Sequence, residues 1–159
     1  MEVRHINQSE LSELLSLLQA KAEFDGCPES LLATTETLKD ALFSATPQAH
    51  ALVVEINGQL VGMATYYTIF SSFIAKPGLW LDDLYIYEEF RGQRIGLALM
   101  QQLCKIAEHA GCGRVDWHVS KFNEHGKNFY RKIGATISEV SQLVRLETKA
   151  IQNLASAPL

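Results

Sequence analysis

The dipeptide Asn57-Gly58 constrains the fold of this chain more than any other short feature. It stands in the middle of HALVVEINGQLVGMATYYTIF, residues 50–70, between two runs rich in β-branched and aromatic side chains. Asn-Gly is the favoured dipeptide of two-residue hairpin turns, because both positions adopt a positive φ at low cost. The two runs therefore predict an antiparallel β-hairpin, and with it a sheet that is not wholly parallel.

A strand, a turn and a long helix follow the hairpin. The strand is GLWLDDLYIY, residues 78–87, and the polar turn EEFRGQRIG leads into a helix predicted from about Gly96 to His109. The segment RVDWHVS, residues 114–120, reads as the next strand. A strand–helix–strand connection runs parallel and right-handed. Combined with the hairpin, it predicts an α/β (α+β) fold with a mixed central sheet.

Helical periodicity predicts further elements on both sides of this unit. A helix in NQSELSELLSLLQAKAEF follows a capping box of Asn7 and Glu10, and a second helix starts near Thr34 or Thr35. A short helix is expected in EHGKNFYRKIG, and one or two closing strands in ATISEVSQLVRLE, residues 135–147.

Length and charge limit the classes of protein to consider. A chain of 159 residues fits a single domain over 1–159, with its core at about 3–147 and a C-terminal tail over 148–159. The net charge of −4 offers no broad basic footprint, so we expect no nucleic-acid partner. No apolar run is long enough to span a bilayer, so we expect no membrane association.

The spacing of cysteines and histidines further limits the classes of protein to consider. The three cysteines include no C-x-x-C pair, and the first residues lack a signal-peptide pattern, which together favour reduced thiols in a cytoplasmic protein. We expect Cys104 and Cys112 to pack as small apolar residues. The five histidines form no H-x-x-H or Cys/His cluster, so we expect no metal site.

The strand at residues 78–87 carries two adjacent carboxylates, Asp82 and Asp83, among apolar side chains. In a regular strand, neighbouring side chains face opposite sides of the sheet. Buried ionised carboxylates need partners. Backbone amides or an arginine such as Arg131 would satisfy them structurally; binding and deprotonating a cation would be a functional use.

RGQRIG, Arg91 to Gly96, lies where the strand gives way to the long helix. Helix N-termini carry unpaired N–H groups and a partial positive charge, so the loop is a candidate anion site. The alternative is an ordinary turn with two solvated arginines. The loop matches neither a P-loop nor the G-x-G-x-x-G dinucleotide fingerprint.

Asn123 and Tyr130 stand seven residues apart in FNEHGKNFY, two helical turns if the segment is helical throughout. Each has a structural alternative: Asn123 as a helix N-cap, and Tyr130 as a packed ring with its hydroxyl at the surface.

The order of these segments resembles the GCN5-related N-acetyltransferase family. Its pyrophosphate loop has the pattern R/Q-x-x-G-x-G/A, which RGQRIG matches except that Arg94 occupies the first glycine position. YYTIFSSFIAKPGLWLDDLYIYEEFRGQRIG and FNEHGKNFYRKIGA further resemble the diamine branch, the spermidine/spermine and thialysine N-acetyltransferases. The likeness covers roughly residues 3–147.

This resemblance implies a splayed or bulged strand at residues 78–87 that holds acetyl-CoA. The backbone of Leu84, Tyr85 and Ile86 would hydrogen-bond its pantetheine arm, and Asn123 would hold the arm by an amide hydrogen bond. The loop around its diphosphate would comprise Arg91, Gly92, Gln93, Arg94, Ile95, Gly96 and Leu97. Arg94 is compatible with this site if its backbone is unstrained.

The resemblance also implies catalytic roles. Asp82 would bind the amine and remove its proton, directly or through water, because an ammonium cannot attack a thioester. Asp83 would contact substrate or serve structurally, and Phe73, in the loop SSFIAKPG, would line the amine entrance. Tyr130 would protonate the departing CoA thiolate.

The expected function is acetyl transfer to the primary amine of a small molecule, either a polyamine, a diamine or a lysine-like amino acid. The resemblance implies a homodimer. Alternatives are acetylation of a protein lysine or N-terminus, a CoA-binding module without turnover, and a plain interaction domain on the same fold.

Overall fold

A computed structural model of the chain describes residues 1–156. Its internal contacts divide the chain into two compact units, Met1–His118 and Val119–Leu159. The expectation of a single domain over the whole chain stays a prediction.

The first unit is built on a five-stranded mixed sheet with the order β1-β2-β3-β4-β5. The first four strands pair antiparallel, and β4 and β5 pair parallel, which confirms the predicted α/β (α+β) class. The strands are β1 Glu2–His5, β2 His50–Ile56, β3 Gln59–Ser71, β4 Lys76–Ile86 and β5 Val115–Trp117. The helices are α1 Leu11–Phe24, α2 Thr35–Phe43 and α3 Ile95–His109.

The predicted hairpin is β2–β3, and its turn has the expected backbone. Asn57 has φ +53° and Gly58 has φ +80°, the left-handed conformations that an Asn-Gly turn supplies at low cost. The predicted capping box also forms: the backbone N–H of Asn7 donates to Oε2 of Glu10 at 2.8 Å, just before α1 begins. Thr34 caps α2 by accepting a hydrogen bond from the backbone N–H of Thr37.

The core on the α1 side of the sheet consists of apolar side chains with little or no exposed surface. Its members are Ile6, Leu11, Leu14, Leu17, Ala51, Val53, Leu60, Met63 and Tyr85. Leucines of α1 at helical spacing contribute three of them. The sequence pattern predicts Leu11 and Leu14 together with Leu15 and Leu18, whereas the third fully packed leucine is Leu17. This core fixes α1 against β3 and β4, and so sets which α1 side chains reach the carboxylates of β4.

Several predicted boundaries differ from the structure. The strand β1 escaped prediction, since only four residues form it and their alternation is weak. The predicted loop SSFIAKPG is shorter, because Lys76, Pro77 and Gly78 pair with β3 and belong to β4. The predicted strand RVDWHVS is ordered as a strand only over Val115–Trp117. Cys104, expected to pack inside, is exposed on α3.

The second unit contains two helices in its described part, α4 Glu124–Lys132 and α5 Thr148–Ala155. The predicted closing strands are wrong: residues 136–147 carry no strand, and Val140 and Val144 are 95% and 89% exposed. A strand needs a hydrogen-bonded neighbour, and none of the described strands pairs with this segment. The expected tail over 148–159 contains the helix α5, and its last three residues, 157–159, lie outside the described range.

Candidate active site

The strand β4 has a bulge at the first of its two carboxylates. In the ladder with β3, Thr65 lies opposite Asp83 and Tyr66 lies opposite Leu81, so Asp82 is an extra residue without a partner. An extra residue bends the strand locally and re-aims its side chains. The resemblance stated above implied a splayed or bulged strand, and the bulge is found at this position.

The bulge places both carboxylates on one face of the sheet. Tyr67 follows Thr65 at an interval of two along β3, so their partners Trp80 and Asp83 share a face. The indole Nε1 of Trp80 donates to Oδ1 of Asp82 at 3.3 Å, which brings Asp82 to that same face. The expectation that the two carboxylates face opposite sides is therefore wrong, because the extra residue interrupts the period-two alternation.

Asp83 is largely buried and has specific partners. The hydroxyl of Thr65 donates to its Oδ2 at 2.8 Å, and the backbone N–H of Asp83 donates to the Thr65 hydroxyl at 3.1 Å. The ammonium of Lys21 lies 3.7 Å from its Oδ1. Burial raises the pKa of Asp83, while the Thr65 hydrogen bond and Lys21 oppose that shift. Thr65 and Lys21, rather than an arginine, therefore satisfy the carboxylate of Asp83, the first by a hydrogen bond and the second by its charge.

Lys21 forms a second ion pair, with Asp25 one turn further along α1. Sequence reasoning missed its role at this site. The spacing of Lys21 and Asp25 at i and i+4 indicates a helix-surface pair, but the contact with Asp83 depends on tertiary packing of α1 against β4. Lys21 is 20% exposed, so its ammonium is held at the edge of the protein interior.

Beyond the bulge, one edge of β4 is open. The parallel strand β5 pairs with β4 only over Leu79, Trp80 and Leu81. No described strand continues that pairing along 82–86, while β3 accompanies the other edge of β4 up to Ile86. This is the predicted splay of the parallel pair. Backbone groups along the open edge of a strand can hydrogen-bond an extended ligand.

The start of α3 presents further backbone donors. The first intrahelical bond runs from the backbone N–H of Ala98 to the carbonyl of Arg94, so the amides of Ile95, Gly96 and Leu97 have no acceptor inside the helix. Gly92 has φ +78° and is exposed together with Gln93. The three amides lie at the N-terminal end of α3, where the helix dipole places a partial positive charge that attracts anions.

The backbone of Arg94 is strained, whereas the resemblance to the family pattern called for an unstrained arginine at this glycine position. Its φ is +63°, in the left-handed region, where a side chain beyond glycine is costly. The loop therefore keeps the backbone shape of a glycine at this position although the residue is arginine.

Arg91 ties the loop to the end of β4. Its Nε donates to the carbonyl of Ile86 at 3.1 Å, and its guanidinium lies 4.8 Å from the ring centre of Phe24 and 5.6 Å from that of Tyr85. Cation–π contacts of this kind hold an arginine in place. The arrangement connects the loop, β4 and the C-terminal end of α1.

Asn123 and Tyr130 belong to the second unit. Asn123 is the N-cap of α4: its Oδ1 accepts from the backbone N–H of Gly126 at 2.8 Å. The structural alternative for Asn123 thus applies, and its amide NH₂ points to no acceptor in that cap. Tyr130 lies near the end of α4, half-buried, and burial raises the pKa of its hydroxyl. The roles expected for both toward acetyl-CoA stay predictions.

Phe73 stands apart from the carboxylates. It is 99% exposed at the tip of the β3–β4 hairpin. The six residues of β4 from Lys76 to Leu81 separate it from the bulge, roughly 20 Å along an extended strand. The structure does not bring Phe73 together with Asp82 and Asp83, and its contact with substrate stays a prediction.

Other surface features lie away from this site. A shallow groove of about 630 Å³ lies between the second half of α3 and β5, with the free thiols of Cys104 and Cys112 on its wall. None of the catalytic, cofactor-binding or substrate-binding residues predicted from the sequence lines it. Among residues 1–156, no three His, Cys, Asp or Glu side chains are grouped as a metal would need. In the same range, no helix combines the length and apolarity needed to cross a bilayer.

Comparison with known proteins supplies the family. The model of the acetyltransferase (GNAT) family matches residues 17–135, which include the bulge, the loop and both residues of α4. The chain belongs to the GNAT family. This confirms the resemblance stated from the sequence, and the enzyme class, an N-acetyltransferase, with it.

The names of individual relatives are consistent with the diamine branch that the sequence resembles. The chain is 29% identical to the thialysine N-epsilon-acetyltransferase of Mus musculus, over 96% of each protein. It is 32% identical to the L-ornithine N5-acetyltransferase of Arabidopsis thaliana over 58% of this chain and 41% of that one. An integron cassette protein from the mobile metagenome of V. cholerae shares the fold, with a TM-score of 0.79 and 24% identity over 98% of each chain.

Proposed function

We propose that this GNAT enzyme transfers the acetyl group of acetyl-CoA to the primary amine of a small molecule. The observation that carries the proposal is the bulge at Asp82, which lies where β5 stops and the open edge of β4 begins. A carboxylate at that point stands beside the position where an extended thioester ligand would end. The substrate classes are a polyamine, a diamine or a lysine-like amino acid.

The described residues fit acetyl-CoA at two places. The open edge of β4, at Leu84, Tyr85 and Ile86, offers backbone partners for an extended amide-bearing arm. The amides of residues 95–97, without acceptors in α3, suit a diphosphate, and the exposed Gln93 and Arg94 flank them. Bound there, the cofactor supplies an activated acyl group as a thioester.

Asp82 is the residue proposed to receive the amine. Its carboxylate is exposed, and Oδ1 accepts a hydrogen bond from the indole Nε1 of Trp80. A primary amine is mostly ammonium near neutral pH, so a carboxylate attracts it and then accepts its proton, directly or through a water. Asp83, which is held by Thr65 and Lys21, adds negative charge next to it.

Tyr130 is proposed as the proton donor to the departing thiolate, and Asn123 as a contact to the CoA arm. The support for Tyr130 is chemical: burial raises the pKa of its hydroxyl, so it keeps its proton at neutral pH and has one to share with the sulfur as the thiolate leaves. We also propose a cytoplasmic homodimer; light scattering on the 17.7 kDa chain tests the assembly.

Two assays test the function. Acetyl-CoA should raise the melting temperature in a concentration-dependent way, as any ligand of the folded state does. Thiol release is then measured with a panel of polyamines, diamines, amino acids and lysine peptides. Turnover of free amines supports the proposal; turnover of peptides alone supports protein acetylation. A shift in melting temperature without any thiol release would indicate a CoA-binding module without turnover. The absence of a shift would rule out both the enzyme and the CoA-binding module.

A further inference from the structure

We propose that Phe24 is a positioning residue for the diphosphate of acetyl-CoA, because its ring holds Arg91 at the start of the loop that precedes α3. The inference rests on the proposed function and concerns the cofactor end of the same site. It assigns a role to an exposed aromatic side chain that the sequence patterns did not single out.

Three groups from different parts of the chain hold Arg91. Its Nε donates to the carbonyl of Ile86 at 3.1 Å, and its guanidinium lies 4.8 Å from the ring centre of Phe24 and 5.6 Å from that of Tyr85. The two rings are themselves in contact, with their centres 6.1 Å apart. The hydrogen bond ties the arginine to the end of β4, and the rings hold its planar cation.

Phe24 and Tyr85 differ in what else they do. Tyr85 is buried and belongs to the core between α1 and the sheet. Phe24 is the last residue of α1 and is 53% exposed, so burial alone gives it little stability. Its ring can therefore be removed without emptying the core, which makes its contact with Arg91 testable.

The loop that follows Arg91 is the kind of segment that benefits from an anchor. Gly92 has φ +78° and Arg94 has φ +63°, and the second of these conformations is costly for a residue with a side chain. A diphosphate bound at the amides of residues 95–97 lies beside this loop. A loop that must be ordered when the ligand arrives lowers affinity, because the entropy lost on ordering opposes binding.

Three acetyl donors isolate the diphosphate. Acetyl-CoA and acetyl-dephospho-CoA both contain it, whereas S-acetylpantetheine lacks it together with the nucleotide. The KM and kcat for each donor are measured with wild-type protein and with Phe24→Leu, Phe24→Tyr and Phe43→Leu. Phe43 is also an exposed ring at the last residue of a helix, α2, and serves as the matched control.

Phe24→Leu should raise the KM for the two donors with a diphosphate by about threefold to tenfold, the effect of losing a cation–π contact. Its kcat, its KM for the amine and its KM for S-acetylpantetheine should stay close to the wild-type values. Phe24→Tyr, which keeps a ring, should restore the wild-type KM for acetyl-CoA, and Phe43→Leu should not change it.

A double-mutant cycle shows whether Phe24 acts through Arg91. Arg91→Lys keeps the charge and loses the planar group that the rings hold. The combination of Phe24→Leu with Arg91→Lys should have the same KM for acetyl-CoA as Arg91→Lys alone. Effects that multiply would mean that the two residues act independently.

Hydrogen exchange of the protein without any ligand gives a readout that needs no turnover. The backbone N–H groups of Phe90 and Arg91 donate to the carbonyls of Tyr87 and Glu88. Phe24→Leu should speed exchange of these two amides, because the segment that Arg91 anchors opens more often. Exchange in β1 and β2 should not change.

The outcomes that overturn the inference are distinguishable from failure of the proposed function. An equal rise in KM for all three donors, a multiplicative double mutant, or unchanged exchange at Phe90 and Arg91 removes the inference and leaves the acetyltransferase proposal standing. Failure of the wild-type protein to release thiol from any donor removes the proposed function, and this inference with it.

Discussion

The hydroxyl of Thr65 donates a hydrogen bond to Oδ2 of Asp83 at 2.8 Å, and the backbone N–H of Asp83 returns one to that hydroxyl at 3.1 Å. This reciprocal pair crosses the β3–β4 ladder immediately beside the bulge. It immobilises the second carboxylate of β4 and leaves Asp82 as the exposed one. The two neighbouring aspartates thereby acquire different environments, one suited to structure and electrostatic support, the other to contact with a ligand.

The buried position of Asp83 predicts a pH dependence of stability. Because burial raises its pKa in the folded state, the folded protein holds more protons at this site than the unfolded chain does. Its contribution to stability is complete below the unfolded pKa and is lost as the pH rises through the folded pKa. Asp83→Asn does not titrate, so its unfolding free energy should improve relative to wild type across that window.

Urea unfolding at several values between about pH 3 and pH 7 measures this difference. A difference between Asp83→Asn and wild type that stays constant over the range, or that moves against the variant as the pH rises, contradicts the account of Asp83.

The left-handed backbone in the loop before α3 predicts stability changes of opposite sign. Arg94→Gly removes a side chain from φ +63° and should raise the free energy of unfolding by roughly 0.5–1 kcal/mol. Gly92→Ala places one at φ +78° and should lower it by about 1 kcal/mol. A Cβ at Gly92 meets no atom within 4 Å, so backbone strain alone is tested. Changes of the same sign in both variants would rule out this explanation.

Asp82→Asn should impair catalysis without impairing acetyl-CoA binding. Loss of a positioned base and of the charge that attracts the ammonium predicts a fall in kcat/KM for the amine of about a hundredfold or more. Thiol release and calorimetric titration of acetyl-CoA give the two readouts, and Asp40→Asn, on the exposed side of α2, is the control. Wild-type kcat/KM in Asp82→Asn would remove Asp82 from the mechanism.

Tyr130→Phe should lower kcat by about a hundredfold while the affinity for acetyl-CoA changes little, since only a hydroxyl is lost. Burial raises the pKa of this tyrosine, so the wild-type rate should show no loss of a protonated acid between pH 7 and pH 9. Unchanged turnover in Tyr130→Phe would mean that another group protonates the thiolate.

Much of the architecture could be predicted because its signals are local. The Asn57-Gly58 turn, the capping box at Asn7 and the amphipathic face of α3 each depend on residues within a few positions of one another. The closing strands were wrong for the opposite reason. Apolar residues such as Val140 and Val144 suit a strand, but a strand forms only with a neighbour, and its own sequence does not indicate one.

The candidate site also has a part that local sequence predicts and a part that depends on tertiary contacts. The carboxylates and the loop were visible as residue types, whereas the bulge and the splay that arrange them were implied only by the family resemblance. The bulge at Asp82 arises from register between β3 and β4, with Thr65 and Asp83 18 residues apart in the chain. The pairing of Lys21 with Asp83 depends on how α1 packs on the sheet. Neither the register of β3 and β4 nor the packing of α1 can be read from the local sequence.

The central claim is that acetyl-CoA lies along the open edge of β4 and against the amides that begin α3. Hydrogen exchange of the protein with and without acetyl-CoA measures this most directly. The account predicts slower exchange in residues 82–86 and 92–97, with β1 and β2 unaffected. Saturating acetyl-CoA that leaves exchange in both segments unchanged, or that slows it only elsewhere in the chain, would contradict the claim.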